Sequence, residues 1–181
     1  MAHALTAVRL VMIAPVAMAF AQPDLIGATT LGVLLFVAIV TDVLDGHVAR
    51  RTGTASAAGQ VFDHTTDCLF VTSGLIGAAF VGHMPWVLPI LVATAFAQYV
   101  LDSYFLHRQK QLTMSMLGRW NGILYFVPLV LLASARLPLF DSLESLLYGC
   151  AMLLGYGLIG STLVSMADRA LAPRRTNSTP S

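Results

Sequence analysis

Long apolar stretches alternate with short polar connections along almost the whole chain. Six of them are candidates for membrane helices, some at the short end of the length range: Leu5–Ala21, Leu25–Asp45, Gly59–Val81, Trp86–Leu106, Trp120–Ala135 and Leu143–Ala167. Because a helix needs about 20 mostly apolar residues to cross a bilayer, each stretch can form one transmembrane helix. The pattern therefore predicts an all-α, polytopic membrane protein with six transmembrane helices.

Composition supports a single membrane domain. Of the 181 residues, 57% are apolar and 10% are charged, and the mean hydropathy is +0.77. A soluble domain carries roughly 25% charged residues. We expect one membrane domain over residues 1–172 and a disordered polar tail over residues 173–181. The two cysteines, Cys68 and Cys150, lie far apart in apolar segments, so the sequence predicts no disulfide framework.

Basic residues are distributed unevenly between the two sides of the predicted bundle. With six helices, nine of the ten lysines and arginines lie on the side of both termini, and only Arg136 lies on the other. By the positive-inside rule, both termini face the cytoplasm, and the protein lies in the cell membrane. Residues 9–22 also resemble a cleavable signal peptide, but the second helix would still run towards the cytoplasm. A net charge of +1 gives no argument for nucleic-acid binding.

Four of the nine acidic residues lie in one short stretch, as Asp42, Asp45, Asp63 and Asp67. Spacings of three and four residues place the two carboxylates of each pair on one face of a helix. The first pair ends the second predicted helix and the second pair opens the third, so both pairs lie at the cytoplasmic edge. Four close carboxylates repel one another, and two divalent cations would neutralise them. A solvated acidic loop, or ion pairs with the adjacent arginines, is the alternative.

The same stretch fits the pattern D-x-x-D-G-x-x-A-R-x8-G-x3-D-x3-D at every fixed position. The eight matching residues are Asp42, Asp45, Gly46, Ala49, Arg50, Gly59, Asp63 and Asp67. By this motif the chain resembles the CDP-alcohol phosphotransferases, or CDP-alcohol phosphatidyltransferases, which are six-helix membrane enzymes. Thr6, Arg9 and Pro15 are similar to the family's first-helix pattern. The resemblance implies transfer of a substituted phosphate from a CDP-linked donor to an alcohol, with release of CMP.

The resemblance also implies roles for the motif residues. The family's first three motif aspartates hold metal, which corresponds here to Asp42, Asp45 and Asp63, and the expected cofactor is two ions of Mg²⁺ or Mn²⁺. Asp67 resembles the base that takes the acceptor's hydroxyl proton, and it can also bind metal. The residues expected to contact CDP are Asp42, Gly46, Ala49, Arg50 and Gly59. Helix packing through the small residues, and anchoring of the helix end by Arg50, are the alternatives.

Basic residues near the cytoplasmic ends of the fourth and fifth predicted helices suggest an acceptor site. They are Arg108, Lys110 and Arg119, and Gln98, Tyr99 and Asp102 can line the same pocket. Charge-assisted bonds to phosphate are strong, so we favour glycerol 3-phosphate as the acceptor and CDP-diacylglycerol as the donor. Inositol phosphate, serine and other head-group alcohols stay open. The positive-inside rule alone is the alternative origin of these charges.

Other interpretations also stay open at this point. A divalent-cation carrier using the same acids is the rival from another functional class, although a carrier should place its acids near the bilayer midplane. Arg9 lies in an apolar helix and can act as a snorkelling anchor or as a phosphate contact. The family's dimers imply a homodimer. His47 and His64 adjoin the motif aspartates but are not fixed motif positions, so we do not assign them to the metal.

Overall fold

The computed structural model of the protein describes residues 2–52, 57–101 and 116–176, with side chains at 6–44, 59, 61–101 and 116–171. These residues form α1 (Ala2–Ala21), α2 (Ala28–Thr52), α3 (Ala57–Phe80), α4 (Val87–Leu101), α5 (Met116–Leu124), α6 (Phe126–Ala135) and α7 (Glu144–Thr176). A 3-10 helix over Pro138–Leu143 connects α6 to α7. No strand occurs in these three ranges, which confirms the all-α prediction for the described residues. Helix α7 includes residues 173–176, where we had expected the polar tail to begin.

Each of the six predicted stretches overlaps a helix within the described residues, and the fifth is divided between α5 and α6. The division falls at Tyr125, three residues before Pro128. Proline has no backbone N–H, and its ring clashes with the carbonyl four residues earlier in a continuous helix. That carbonyl belongs to Leu124, the last residue of α5. A division near this position therefore follows from the single proline.

Two described segments are long and apolar enough to cross a membrane, by length and composition. They are Met116–Ala135, which contains α5 and α6, and Pro138–Leu171, which contains most of α7. Shorter apolar helices of 10–17 residues are Thr6–Ala21, Ala28–Leu44 and Val87–Leu101. The prediction of six membrane crossings is therefore supported only in part.

One apolar core connects the helices. Helix α1 packs against α2 and α3, α6 packs against α7, and α4 joins these groups by contacting both α3 and α7. The side chains of Val16, Leu31, Leu75, Leu88 and Leu129 come from five different helices, and all are fully buried in this core. The helices therefore form one packed bundle, with α1 held against the two helices that carry the aspartate motif.

Gly77 on α3 allows the close approach of α1. A Cβ atom built on Gly77 would overlap the carbonyl oxygen of Ala17 and would lie 2.9 Å from the Cβ of Phe20. Neither atom can rotate away, because one belongs to the backbone and the other is bonded directly to it. Any side chain larger than hydrogen at this position must therefore push the two helices apart.

Arg136 fixes the C-terminal end of α1. Its guanidinium donates hydrogen bonds to the carbonyls of Ala19 at 2.6 Å, Pro23 at 2.8 Å and Ile26 at 2.8 Å. These carbonyls lie in the last turn of α1 and in the turn before α2, where backbone acceptors lack helical partners. The one basic residue that departs from the predicted charge bias is thus a link between α6 and the α1–α2 turn.

Replacing Gly77 with alanine should lower the thermal unfolding temperature, although alanine favours helix over glycine by roughly 1 kcal/mol. The overlap with α1 forces the helices apart, and overpacking of this kind typically costs about 1–3 kcal/mol. Gly149→Ala is the matched control, because nothing lies within 4 Å of a Cβ atom at Gly149. Thermal unfolding in detergent compares the two variants, and equal stability would contradict the close α1–α3 contact.

Candidate active site

A cavity of about 790 Å³ lies between α2, α3, α4 and the helices from α5 to α7. Six residues selected from the sequence line it: Asp42, Asp63, Asp67, Gln98, Tyr99 and Arg119. Most of the remaining lining is apolar and includes Val71, Phe96 and Val130. The fold therefore brings three motif aspartates, two polar residues of α4 and Arg119 to the walls of one cavity.

Threonines beside the aspartates use their hydroxyl groups within their own helices. Thr41 donates to the carbonyls of Val37 and Ala38 at 2.8 and 2.9 Å. Thr65 and Thr66 donate to the carbonyls four residues earlier, at 2.7 and 2.9 Å. Such bonds satisfy a hydroxyl without a partner from another helix. The neighbouring carboxylates therefore have to find their partners elsewhere.

The shared partner of the three described carboxylates is Arg9 of α1. Its Nη1 is 3.0 Å from Oδ1 of Asp42 and also forms an ion pair with Oδ1 of Asp67. Its Nη2 is 3.4 Å from Oδ1 of Asp63. The side chain of Arg9 is 0% exposed, whereas those of the three aspartates are 37%, 23% and 26% exposed in the order just given. Arg9 therefore contacts the carboxylates from the buried side.

This position differs from the snorkelling anchor that the sequence suggested as one role for Arg9. A snorkelling side chain extends its charge towards water, but Arg9 is fully buried. Arg9 is not among the described residues that line the cavity, and its suggested contact with phosphate stays a prediction. The sequence gives no signal for this arrangement, because the three partners lie on other helices, 33 to 58 positions later in the chain.

One group of described side chains can hold a cation. Asp63, His64 and Asp67 each offer a ligand atom, and these atoms lie within 4.8 Å of one another. Carboxylate oxygens suit Mg²⁺ or Mn²⁺, whereas imidazole suits transition metals better. Asp42 lines the same cavity from α2 and adds a third carboxylate. The donor set fits a divalent cation, and it includes His64, which the motif alone did not select.

Hydrogen-bonded polar side chains connect α7 to α5 and to the division between α5 and α6 at the cavity. The hydroxyls of Tyr125 and Thr162 lie 2.7 Å apart, and Ser161 donates to Oδ1 of Asn121 at 2.7 Å. Asn121, Tyr125 and Thr162 all line the cavity. Hydrogen bonds between buried polar side chains help to fix the relative position of the elements that carry them. The Asn121–Ser161 pair therefore connects α5 to α7, and the Tyr125–Thr162 pair connects the division between α5 and α6 to α7.

Arg169 on α7 is a cavity residue that the sequence argument missed. Its guanidinium carbon lies 4.9 Å from the ring centroid of Tyr99, whose side chain is 3% exposed. Gln98 donates to the carbonyl of Met166 at 3.2 Å, which ties α4 to the same part of α7. Helical spacing offered a signal, because Arg169 follows Thr162 by two turns on one helix face. We had counted Arg169 only towards the charge bias.

Several predicted site residues lie outside the described set. Arg108, Lys110 and Asp102 fall in the gap between α4 and α5, and the described side chains of α2 end before Asp45, Gly46, Ala49 and Arg50. Gly59 lies in the first turn of α3 and is not among the described cavity-lining residues. Their suggested contacts with metal, CDP or acceptor stay predictions.

Comparison with known protein families identifies the family of this chain. The sequence profile of the CDP-alcohol phosphatidyltransferase family matches residues 1–163. The protein belongs to this family. The match confirms the resemblance deduced from the motif, and it covers the whole cavity wall apart from the last turns of α7.

Curated relatives are similar over parts of their length. A CDP-diacylglycerol–glycerol-3-phosphate 3-phosphatidyltransferase of Mycoplasma genitalium is 28% identical over 102 residues, covering 55% of this chain and 42% of the relative. A CDP-diacylglycerol–serine O-phosphatidyltransferase of Encephalitozoon cuniculi is 45% identical over 49 residues, covering 26% and 13%. A probable phosphatidylglycerophosphate synthase of Mycobacterium tuberculosis is 37% identical over 57 residues, covering 32% and 27%. The matched segments thus span less than half the length of each relative.

Asp63→Asn should weaken the binding of Mn²⁺ roughly tenfold or more, because it removes a charged ligand that faces the cavity. Asp24→Asn is the matched control, since it makes the same change at an exposed residue in the α1–α2 turn that does not line the cavity. Isothermal titration of the purified protein with Mn²⁺ measures both variants. Equal affinity of the two variants would show that Asp63 does not hold the cation.

Proposed function

We propose that this protein transfers a phosphatidyl group from CDP-diacylglycerol to a small alcohol and releases CMP, with Mg²⁺ or Mn²⁺ as cofactor. The observation that carries the proposal is the placement of Asp42, Asp63 and Asp67 on one cavity of a chain that belongs to the CDP-alcohol phosphatidyltransferase family. The names of the relatives, which describe transfer to glycerol 3-phosphate or serine, support the same reaction class.

The motif carboxylates divide the chemistry between them. Asp42, Asp45 and Asp63 would hold two divalent cations, which supply positive charge to the diphosphate and to the departing CMP. Asp67 accepts the proton of the acceptor hydroxyl as general base. The alcohol oxygen then forms a bond to the phosphatidyl phosphorus, and the bond from that phosphorus to the CMP oxygen breaks. CMP leaves with the electron pair, so charge and atoms balance.

The apolar lining of the cavity suits a lipid-linked donor. Val71, Val92 and Phe96 lie on α3 and α4, and Val127 and Val130 lie on α6, around the same cavity that holds the aspartates. A nucleotide alone would not require this surface, whereas the acyl chains of CDP-diacylglycerol would remove it from water. The combination of acidic and apolar walls therefore favours an amphiphilic substrate over a soluble one.

The site faces the cytoplasm in this proposal, and six crossings place both termini on the same side of the cell membrane. Arg119 and Arg169 line the cavity, while Arg136 binds the opposite end of α1. The excess of basic residues at the cavity end agrees with the positive-inside rule. A homodimer, which the family resemblance implies, stays a prediction.

The reaction can be tested on the purified protein with labelled CDP-diacylglycerol and Mn²⁺. We expect release of CMP that requires both the cation and an alcohol acceptor, and loss of about a hundredfold or more of the rate in Asp67→Asn, because the general base is removed. The rival function is a divalent-cation carrier. Reconstituted vesicles that move Mn²⁺, together with no CMP release for any acceptor, would favour the carrier over the enzyme.

Two arginines support an acceptor that carries its own phosphate. Arg119 from α5 and Arg169 from α7 both line the cavity, with Tyr99 beside Arg169. An arginine fork can bind a phosphate through two parallel hydrogen bonds. The Mycoplasma relative is named for transfer to glycerol 3-phosphate, which is such an acceptor. We therefore favour glycerol 3-phosphate over serine and over unphosphorylated alcohols, and inositol phosphate stays open.

Arg119→Ala and Arg169→Ala should each raise the KM for glycerol 3-phosphate by roughly tenfold or more, because each removes a charge-assisted bond to phosphate. The KM for CDP-diacylglycerol should change little. Arg119→Lys is the conservative control, and it should recover part of the loss because it retains the charge without the fork. Efficient turnover of a neutral alcohol that is indifferent to both arginines would contradict the assignment.

A further inference from the structure

Arg9 presents an arrangement that the proposed reaction does not use. Its guanidinium is fully buried between three helices, and it contacts each of the three motif aspartates through the Oδ1 atom of that aspartate. It does not border the cavity among the residues that the structure describes. Its observed partners are instead three aspartates that do line the cavity.

Burial makes these contacts necessary both for Arg9 and for the three aspartates. A charged group removed from water costs several kcal/mol unless opposite charges and hydrogen bonds compensate it. The three carboxylates are also unfavourable on their own, because they converge at one place and repel one another. Arg9 lies at this place beside the imidazole of His64, and its guanidinium, which is always charged, reaches all three carboxylates through its two terminal nitrogens.

We propose that Arg9 is a positioning residue that acts as a built-in counter-ion for the motif aspartates. It holds Asp42 of α2 and Asp63 and Asp67 of α3 together as charged groups when no cation is bound. A carboxylate has two oxygens and can accept from several partners at once. Arg9 on the buried side and a divalent cation on the cavity side can therefore share the same carboxylates. The cation enters a site whose acids already converge.

The inference predicts that removal of Arg9 makes stability depend on the cation. In Arg9→Met, the three carboxylates lose their shared counter-ion, and the metal-free protein should unfold roughly 10 °C lower than wild type. Saturating Mn²⁺ should recover most of that loss, because it supplies positive charge to the same acids. Arg9→Lys should fall between the two, since lysine retains the charge but offers a single nitrogen.

Arg136→Met is the matched control for these measurements. It also removes an arginine that contacts α1, but the partners of Arg136 are backbone carbonyls at the other end of that helix. Its loss should lower the unfolding temperature by the same amount with EDTA and with Mn²⁺. A loss in Arg9→Met that is equally insensitive to Mn²⁺ would reduce Arg9 to an ordinary packing residue and would overturn the proposal.

A second variant tests the counter-ion role without any metal. Asp42→Asn should lower the metal-free unfolding temperature of the wild type, because it removes a partner of Arg9. In the Arg9→Met background the same change should raise it, because it relieves repulsion between carboxylates. The same sign in both backgrounds would also overturn the proposal. If Arg9→Met does not fold without metal, Arg9→Lys replaces it as the background. In that background, Asp42→Asn should lower the metal-free unfolding temperature by less than it does in the wild type.

The inference rests on the proposed function only through the metal site. None of these measurements uses substrate, so failure to observe CMP release would leave the Arg9 result intact. Conversely, the wild-type protein could release CMP while Asp42→Asn lowers the unfolding temperature in both the wild-type and the Arg9→Met background. That result would keep the proposed function and remove the counter-ion role. The two proposals therefore fail separately.

Discussion

The contact between Arg9 and the motif carboxylates determines how the first three helices must be arranged. A buried guanidinium and several converging acids are each unfavourable alone, and they become compatible only when α1 lies against both α2 and α3. The apolar core then closes around this arrangement through residues such as Val16 and Leu31. The acidic wall of the cavity is a consequence of this packing, because the aspartates extend from it towards the open side.

Helix α1 is fixed by two arginines through different chemistry. Two turns into the helix Arg9 binds carboxylates, and at the C-terminal end Arg136 binds carbonyls that the helix terminus leaves without partners. Near this C-terminal end, Gly77 of α3 also lets the two backbones approach closely. Precise placement of the aspartates thus depends on polar contacts combined with a closely packed apolar interface. The second wall is fixed in a similar way, by the Asn121–Ser161 pair between α5 and α7.

Local rules predicted those parts of the molecule that depend on neighbours in the chain. Apolar length located the helices, and the spacing of Asp63 and Asp67 put their carboxylates on one helix face. Pro128 explains the division between α5 and α6, but the pattern of apolar and polar residues alone does not reveal this division. The sequence singled out Arg9 as a charge in an apolar helix and as part of the family's first-helix pattern, whereas Arg169 counted only towards the charge bias. The contacts of both residues depend on partners from other helices, so they become visible only when the bundle is assembled.

The order of residues along the chain has a consequence for biosynthesis. Arg9 is made 54 residues before Asp63, which at roughly 5–20 residues per second means about 3–11 s of translation. During this interval Arg9 can pair with Asp42 of α2, which is made earlier, but its two partners on α3 do not yet exist. The charges around Arg9 are therefore complete only after α3 has been synthesised. The order of the helices along the chain thus sets the order in which this cluster of charges is neutralised.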